Sequence, residues 1–223
     1  MKKIFYAMAL LSVTAYFATA CSDDEPNNDG GNTGIEDVVP GTNHKILVAY
    51  FSEPLPDGVD AVTSASRVIV DGDLYGSVQY VATVIREATG GDMVRIQTAQ
   101  PYPDNFDDLA DQADNERQND IHPALATEID DFDDYDVVFV GYPIWWYQMP
   151  MAMYSFFDNY DFNGKTIIPF STHGGSGWSG TLGDIADLEP RATIVNGYSI
   201  SRNNTATSRD GILNWLREIN MIK

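Results

Sequence analysis

The chain of 223 residues is poor in cysteine, in basic residues and in histidine. Because Cys21 is its only cysteine, no disulfide can form within it. The chain has 33 acidic and 13 basic residues. Its net charge of −20 excludes the basic surface that nucleic acids require. The same charge opposes electrostatic docking on anionic lipid. It fits either a solvated acidic surface or a surface that docks basic partners.

Two kinds of catalytic site are also missing from the sequence. The histidines His44, His122 and His173 do not have the spacing of metal ligands, so no metal site is predicted. Ser176 does not lie in the Gly-x-Ser-x-Gly turn of hydrolases, because Trp178 occupies the position of the second glycine. The paired aspartates of the chain are interpreted as solvated surface.

No apolar run in the chain has the length of a comfortable membrane span. The run from Ile4 to Phe17 follows Lys2 and Lys3 and precedes three small residues, which is the pattern of a bacterial secretory signal. We therefore expect residues 1–20 to be a lipoprotein signal peptide and Cys21 to be lipidated. Cleavage by an ordinary signal peptidase, which would leave Cys21 as a free thiol, is the alternative.

Residues 21–43 are polar and rich in Asp, Asn and Gly. Such a composition cannot bury enough apolar surface to fold, so we expect a disordered tether from the lipidated cysteine. The run from Ser22 to Glu25 resembles the acidic tag that directs some bacterial lipoproteins to the cell surface. We expect the protein to be exported and anchored by lipid to the cell envelope, at the outer membrane.

Residues 44–223 alternate short apolar runs with amphipathic helical patterns, which predicts an α/β fold with a doubly wound parallel sheet. Five strands are expected at 45–51, 92–98, 136–141, 165–170 and 192–195, with a return ribbon at 198–201. Helices are expected from Ser77 to Gly90, over 106–119 and 151–160, near 182–188, and over 207–222. An irregular insertion at 53–74 contains a possible ribbon and an Asp71-Gly72 turn.

The ends of three predicted strands should open on one edge of such a sheet, where ligands bind. The first strand ends at Ser52 and leads towards a helix N-terminus, which favours a phosphate. A cluster of aromatic residues, Tyr142 to Tyr147, follows the third strand and can stack on a flat ring. After the fourth strand, a Gly-rich loop can bring backbone donors close to that ring. Together these features predict a site for flavin mononucleotide (FMN).

Three segments of the chain resemble the flavodoxin-like superfamily. They are Lys45 to Ser52, Gly141 to Trp146 (Gly-Tyr-Pro-Ile-Trp-Trp), and Ile167 to Gly177, which contains Thr-His-Gly-Gly-Ser-Gly. The resemblance implies a five-stranded sheet of order 2-1-3-4-5, non-covalent FMN, and a redox partner. It also implies a set of FMN-binding positions: Ser52, Gly76, Ser77, Val78, Pro143, Ile144, Trp145, Trp146, Tyr147, Thr172, His173, Gly174, Gly175 and Gly177.

The chain departs from the family at the phosphate loop. The family's loop runs directly from the serine into a Thr-Gly-Asn-Thr type of turn, whereas here the matching turn, Tyr75 to Val78, follows the insertion. Val78 keeps a backbone N–H but has no hydroxyl. A lost hydrogen bond to phosphate costs roughly 1.5–3 kcal/mol, and Ser52, Ser64 or Ser66 are the candidates to replace it.

Several interpretations remain open from the sequence. Trp145 and Trp146 either form a wall of the flavin site or cap the core, and His173 is either a proton donor or a loop residue bonded to backbone. The expected function is an FMN-binding electron carrier or oxidoreductase. The alternatives are an NAD(P)H-dependent FMN or quinone reductase, and a surface binding protein that kept the fold but lost the flavin.

Overall fold

The structure is a computed structural model that describes residues 44–54 and 67–223. The predicted signal peptide, Cys21, the tether, and the part of the insertion that contains Ser64 lie outside the described residues. Within them the strands are β1 (Ile46–Phe51), β2 (Arg67–Val70), β3 (Asp73–Gly76), β4 (Asp92–Ile96), β5 (Val137–Pro143), β6 (Thr166–His173), β7 (Thr193–Ile194) and β8 (Tyr198–Ser201). The α-helices are α1 (Ser77–Thr89), α2 (Phe106–Gln118), α3 (Met151–Asn159), α4 (Thr181–Leu188) and α5 (Arg209–Glu218).

The central sheet is parallel and has the order β4-β1-β5-β6-β7. When only these five strands are numbered along the chain, their order is the predicted 2-1-3-4-5. The order reverses between β1 and β5, because successive strands are added to one side of β1 first and then to the other. In a doubly wound sheet this is where ligands bind, at the carboxyl ends of the strands.

Helices cover both faces of the sheet, because its central strands are almost wholly apolar and are buried on both sides. On one face α1 and α5 pack through residues such as Ile85 and Leu216. On the other face α2, α3 and α4 pack through residues such as Leu109, Met153 and Ile185. The structure thus confirms the predicted fold class.

Two strands extend further than the sequence predicts, and this changes the site. β5 runs to Pro143 and β6 runs to His173, with Pro143 opposite Thr172. The expected loop after Gly141 therefore begins two residues later. The cause is pairing on both sides of β6, since β8 also pairs with it as far as His173.

The prediction of a return ribbon at Tyr198–Ser201 is wrong. β8 pairs with β6 in the parallel sense, as β7 does, and the two pair with opposite ends of it. Together they occupy the fifth strand position with an interruption, and the main chain at Pro169 lies close to Gly197 there. A β-carbon at Gly197 would lie 2.3 Å from the carbonyl oxygen of Pro169.

The described part of the insertion forms an antiparallel hairpin of β2 and β3 that leads into α1. Asp71 and Gly72 have φ angles of 52° and 93°, so the predicted Asp-Gly turn is present. Val68, Val70 and Tyr75 pack against the core, whereas Ile69 and Leu74 are exposed. Among the described residues no helix has both the length and the apolar character needed to cross a membrane.

Candidate functional site

The carboxyl ends of β1, β5 and β6 form one edge of the sheet, because the three strands are parallel and neighbouring. Ser52 follows β1, Pro143 and Thr172 pair across β5 and β6, and the N–H of Ile144 donates to the Thr172 carbonyl at 2.9 Å. The three predicted parts of the site therefore come together at the edge where strand order reverses.

Two serine hydroxyls lie at the end of β1 and the start of α1. Ser52 and Ser77 are 2% and 1% exposed, and neither Oγ has a hydrogen-bond partner within the described part of the chain. A buried hydroxyl without a partner costs about 1–3 kcal/mol. Since α1 has no acidic residue in its first turn, these hydroxyls and the N–H groups of the helix form a setting suited to an anion.

Gly76, which connects β3 to α1, is required by this arrangement. A β-carbon there would lie 2.0 Å from Ser52 Oγ, so any side chain would displace the hydroxyl. The N–H of Gly76 donates to Gln79 Oε1 at 3.0 Å and holds the start of the helix. Val78, two residues after Gly76, is buried in the core, so only its backbone is available to this site.

The aromatic segment after β5 makes a tight turn in a conformation that non-glycine residues rarely adopt. Trp145 and Gln148 exchange two backbone hydrogen bonds of 3.0 Å, and Trp146 and Tyr147 between them have φ angles of 48° and 64°. This is the geometry of a type I′ hairpin turn, which favours Asn-Gly. Each left-handed residue of this kind costs on the order of 1–3 kcal/mol, and such strain clusters at functional sites.

The turn divides its aromatic side chains between the core and the surface. Trp145 is 9% exposed and meets the rings of Phe51 and Tyr102 edge to face, at centroid distances of 5.2 and 5.6 Å. Trp146 and Tyr147 are 49% and 76% exposed. The Trp146 indole donates to the Ala110 carbonyl in α2 at 3.1 Å, which orients its ring.

Tyr102, behind Trp145, is itself held by a buried carboxylate. Its hydroxyl donates to Glu116 Oε2 at 2.6 Å, and Gln112 donates to the other carboxylate oxygen at 2.9 Å. Burial, followed by the hydrogen bond from Tyr102 to Glu116, raises the pKa of Tyr102 well above its usual value. Sequence reasoning did not identify this support for the aromatic turn.

A cavity of about 440 Å³ lies beside the turn, within the usual size range of ligand pockets. One side is the apolar face of α2, which was not among the predicted site positions. The signal in the sequence is that Phe106, Leu109, Ala110 and Ala113 recur at spacings of three and four on an otherwise polar helix. The lining consists of Phe106, Leu109, Ala110, Ala113, Ile144, Trp145, Trp146, Tyr147, Gly174, Gly175 and Ser176.

The other predicted positions lie outside this lining. Ser52, Gly76, Ser77 and Val78 lie at the start of α1, in the setting suited to an anion. Pro143, Thr172 and His173 are strand residues at the sheet edge, and Thr172 Oγ1 is buried without a hydrogen-bond partner among the described residues. Gly177 has a φ angle of 61° and shapes the loop after β6.

His173, the weak catalytic candidate, is held by the loop that follows it. Its Nδ1 accepts a hydrogen bond from the Gly175 N–H at 3.0 Å, so in the neutral ring the proton resides on Nε2. Burial lowers the pKa of His173. The ring is therefore mainly neutral at pH 7 and has one N–H left to donate.

The fold and this edge define a flavodoxin-like α/β protein. The profile of a family described as Flavodoxin matches residues 45–219, so the chain belongs to that family. Among proteins with curated descriptions, none matches the chain.

Solved structures agree with this assignment. A candidate flavoprotein from Bacteroides eggerthii is 29% identical, with a TM-score of 0.59 over 79% of this chain and 98% of its own. One from Bacteroides uniformis is 28% identical, with a TM-score of 0.61 over 78% and 98%. A flavoprotein from Lactobacillus acidophilus in complex with FMN is 15% identical, with a TM-score of 0.51 over 74% and 97%. The last likeness concerns the fold alone.

Proposed function

We propose that this protein binds FMN non-covalently and serves as a redox protein, either an electron carrier or an oxidoreductase. The observation that carries the proposal is the pair of buried, unpartnered hydroxyls of Ser52 and Ser77 at the start of α1. They lie on the sheet edge that also bears the aromatic turn and the Gly-rich loop. Family membership and the FMN complex of a structural neighbour support the same cofactor.

The residues fit the three parts of FMN. The hydroxyls of Ser52 and Ser77, with the first N–H groups of α1, would donate to the phosphate. The buried Thr172 hydroxyl would donate to the chain between the phosphate and the ring. Trp146 and Tyr147 would stack on the ring, because they are the exposed members of the aromatic turn.

Bound FMN supplies reversible one- or two-electron chemistry, and the protein's part is to tune it. The net charge of −20 disfavours added negative charge on the ring, which lowers its reduction potential. His173 would hold a proton on Nε2 at the edge of the site. The acidic surface suits a basic redox partner.

The Ser77→Ala variant tests the cofactor. Replacing Ser77 removes a hydrogen bond to a charged phosphate, worth roughly 1.5–3 kcal/mol, so we expect FMN affinity to fall about 10- to 150-fold. Riboflavin lacks the phosphate, so its affinity should be unchanged. Titration of the purified full chain, followed by flavin fluorescence, measures both.

The matched control is Ser155→Ala. Ser155 is also a buried serine, but its hydroxyl donates to a carbonyl within α3, at Met151. If Ser77→Ala weakens the binding of FMN and of riboflavin equally, or weakens neither, the proposed phosphate site is wrong.

Adding NADH or NADPH to the FMN-loaded protein distinguishes an electron carrier from a reductase. A carrier without a reductase partner stays oxidised, whereas the flavin of a reductase is bleached.

We further propose that the chain is exported and anchored to the bacterial outer membrane through a lipid on Cys21. The support is in the sequence alone: a basic start, an apolar run, three small residues and then the sole cysteine. We expect Cys21→Ala to move the protein from the membrane fraction to the soluble fraction and to abolish incorporation of labelled palmitate. Retention of both signals by the variant would contradict the proposal.

A further inference from the structure

Glu116 is the one acidic residue that is buried within the described part of the chain, where its exposed fraction is 5%. No Lys, Arg or His of that part forms an ion pair with it, and its oxygens accept from Tyr102 and Gln112 instead. Burying a carboxylate without a cation opposes folding, because the charge loses its hydration. Glu116 lies three residues after Ala113, which lines the cavity. A local feature that opposes folding beside a candidate ligand cavity indicates a function.

The Tyr102 hydroxyl faces this base directly. Its oxygen lies 2.6 Å from Glu116 Oε2, which is the length of a hydrogen bond to an ionised carboxylate and is within reach for proton transfer. Burial, followed by this hydrogen bond, raises the pKa of Tyr102 far above its usual value, so the phenol keeps its proton at ordinary pH. One-electron oxidation makes a phenol strongly acidic, and only then would the proton pass to Glu116.

Trp145 connects Tyr102 to the cavity. The Trp145 ring lines the cavity and meets the Tyr102 ring edge to face, with the centroids 5.6 Å apart. Phe51, the third ring of this cluster, contacts both of them, but a phenyl ring is much harder to oxidise than an indole or a phenol. The groups that follow one another from the cavity inwards are therefore an oxidisable indole, an oxidisable phenol and a base.

We propose that Tyr102 is a redox-active tyrosine and that Glu116 is its proton acceptor. An electron passes from Trp145 to a one-electron oxidant in the cavity, and the oxidant is thereby reduced. Trp145 then regains an electron from Tyr102, while the phenolic proton of Tyr102 moves to Glu116 Oε2. The products are a neutral tyrosyl radical and a protonated carboxyl group, and an electron returned from the cavity restores both residues.

This arrangement moves an oxidising equivalent from the cavity into the core without releasing a proton to solvent. Tyr102 and Glu116 are 6% and 5% exposed, so water has little access to the radical. Gln112 donates to the other carboxylate oxygen at 2.9 Å and keeps the carboxylate oriented. The inference rests on the proposed function for its natural oxidant, because flavins carry out one-electron chemistry.

The test uses the full chain without flavin, with azidyl radicals from pulse radiolysis as the one-electron oxidant of its tryptophans. Transient absorption follows the conversion of the indolyl radical into the tyrosyl radical. We expect a conversion phase that is lost in Tyr102→Phe and slowed at least about tenfold in Glu116→Gln, because an amide is a far weaker base. This phase of the wild type should also be slower in deuterium oxide, since a proton moves with the electron.

Two control variants each lack one of the required features. Tyr135 is buried and donates to the Asp92 carboxylate at 2.9 Å, but among the described residues its ring meets no tryptophan. Tyr198 meets the ring of Trp215 at a centroid distance of 5.2 Å, but no carboxylate of the described residues accepts from its hydroxyl. We expect Tyr135→Phe and Tyr198→Phe to retain the phase that Glu116→Gln slows.

A conversion that is unchanged in Tyr102→Phe, or equally fast in Glu116→Gln and the wild type, would overturn the inference. Tyr102 and Glu116 would then only support the aromatic turn. Near-UV circular dichroism checks that both variants fold. If either does not, the deuterium effect on the wild type decides, because its absence means that no proton moves with the electron.

The radiolysis experiment is independent of flavin binding. If the wild type binds no FMN, the proposed function fails, whereas the conversion of the radical still decides the role of Tyr102. If it binds FMN but shows no conversion that depends on Tyr102, the proposed function stands and the redox-active tyrosine is wrong.

Discussion

At the scale of single residues, His173 shows how local backbone determines the state of a side chain. The Gly175 N–H occupies Nδ1 and burial lowers the pKa of the ring. The sequence left open whether His173 is a proton donor or a loop residue bonded to backbone. The structure confirms the backbone bond, and it also leaves Nε2–H unengaged by any described hydrogen bond of this ring.

This lowered pKa makes stability depend on pH. An ordinary histidine titrates at about 6.5, so below that pH the unfolded chain binds a proton that the folded chain resists. The free energy of unfolding contributed by His173 therefore falls as pH drops from about 6.5 towards the lower folded pKa. We expect His173→Asn, which retains an acceptor for Gly175, to lose less stability than the wild type between pH 7 and pH 5, by urea unfolding. Parallel pH profiles would contradict this.

At the scale of elements, the turn from Trp145 to Gln148 combines strain with exposed aromatic surface. Two consecutive non-glycine residues with positive φ oppose folding. They are held by the paired backbone hydrogen bonds, by the buried Trp145 ring and by the bond of Trp146 to α2. A turn that costs stability and exposes Tyr147 is consistent with retention for binding rather than for folding.

Two variants of Tyr147 separate strain from the loss of the ring. Both Tyr147→Gly and Tyr147→Ala remove the aromatic group, but only glycine removes the β-carbon at a φ of 64°. We expect the glycine variant to be more stable than the alanine variant by about 1 kcal/mol in urea unfolding, after the entropy cost of glycine. Both should bind FMN more weakly than the wild type. An alanine variant of equal or greater stability would show that the turn is not strained.

At the scale of the whole molecule, the excess of negative charge is the main electrostatic property of the protein. The excess of acidic residues, −20 in net charge, is spread over both helices and loops, and the described ion pairs neutralise few of them. Self-repulsion of this size destabilises the compact state and opposes self-association. It also restricts strong electrostatic association to basic partners.

Salt should therefore stabilise the protein at neutral pH. We expect the free energy of unfolding to rise between about 10 mM and about 150 mM sodium chloride, because the Debye length shortens from about 30 to about 8 Å. The effect should diminish close to the isoelectric point of about 4.1, where net repulsion vanishes. A salt effect that is the same at both pH values would indicate ion-specific hydration instead of screening.

The parts of the candidate site and the sheet edge where they meet were predictable, but the burial of the individual side chains was not. The type of each strand end followed from local composition: a hydroxyl at Ser52, aromatics from Trp145 to Tyr147, and glycines after His173. Which aromatic side chains are exposed did not follow, because burial of Trp145 depends on Phe51 and Tyr102. These residues belong to other elements, and no local pattern reports such contacts.

The sequence by itself determined the doubly wound fold and the sheet edge of the candidate site, because apolar runs and helical periodicity are local properties. The strand order was implied by the resemblance of three segments to the flavodoxin-like superfamily. Only the tertiary structure decided where β5, β6 and the interrupted fifth strand end, because those limits depend on pairing between distant segments. It alone also decided that Tyr102 meets both Trp145 and Glu116. Proximity between residues far apart in the chain follows from packing, which no single segment encodes.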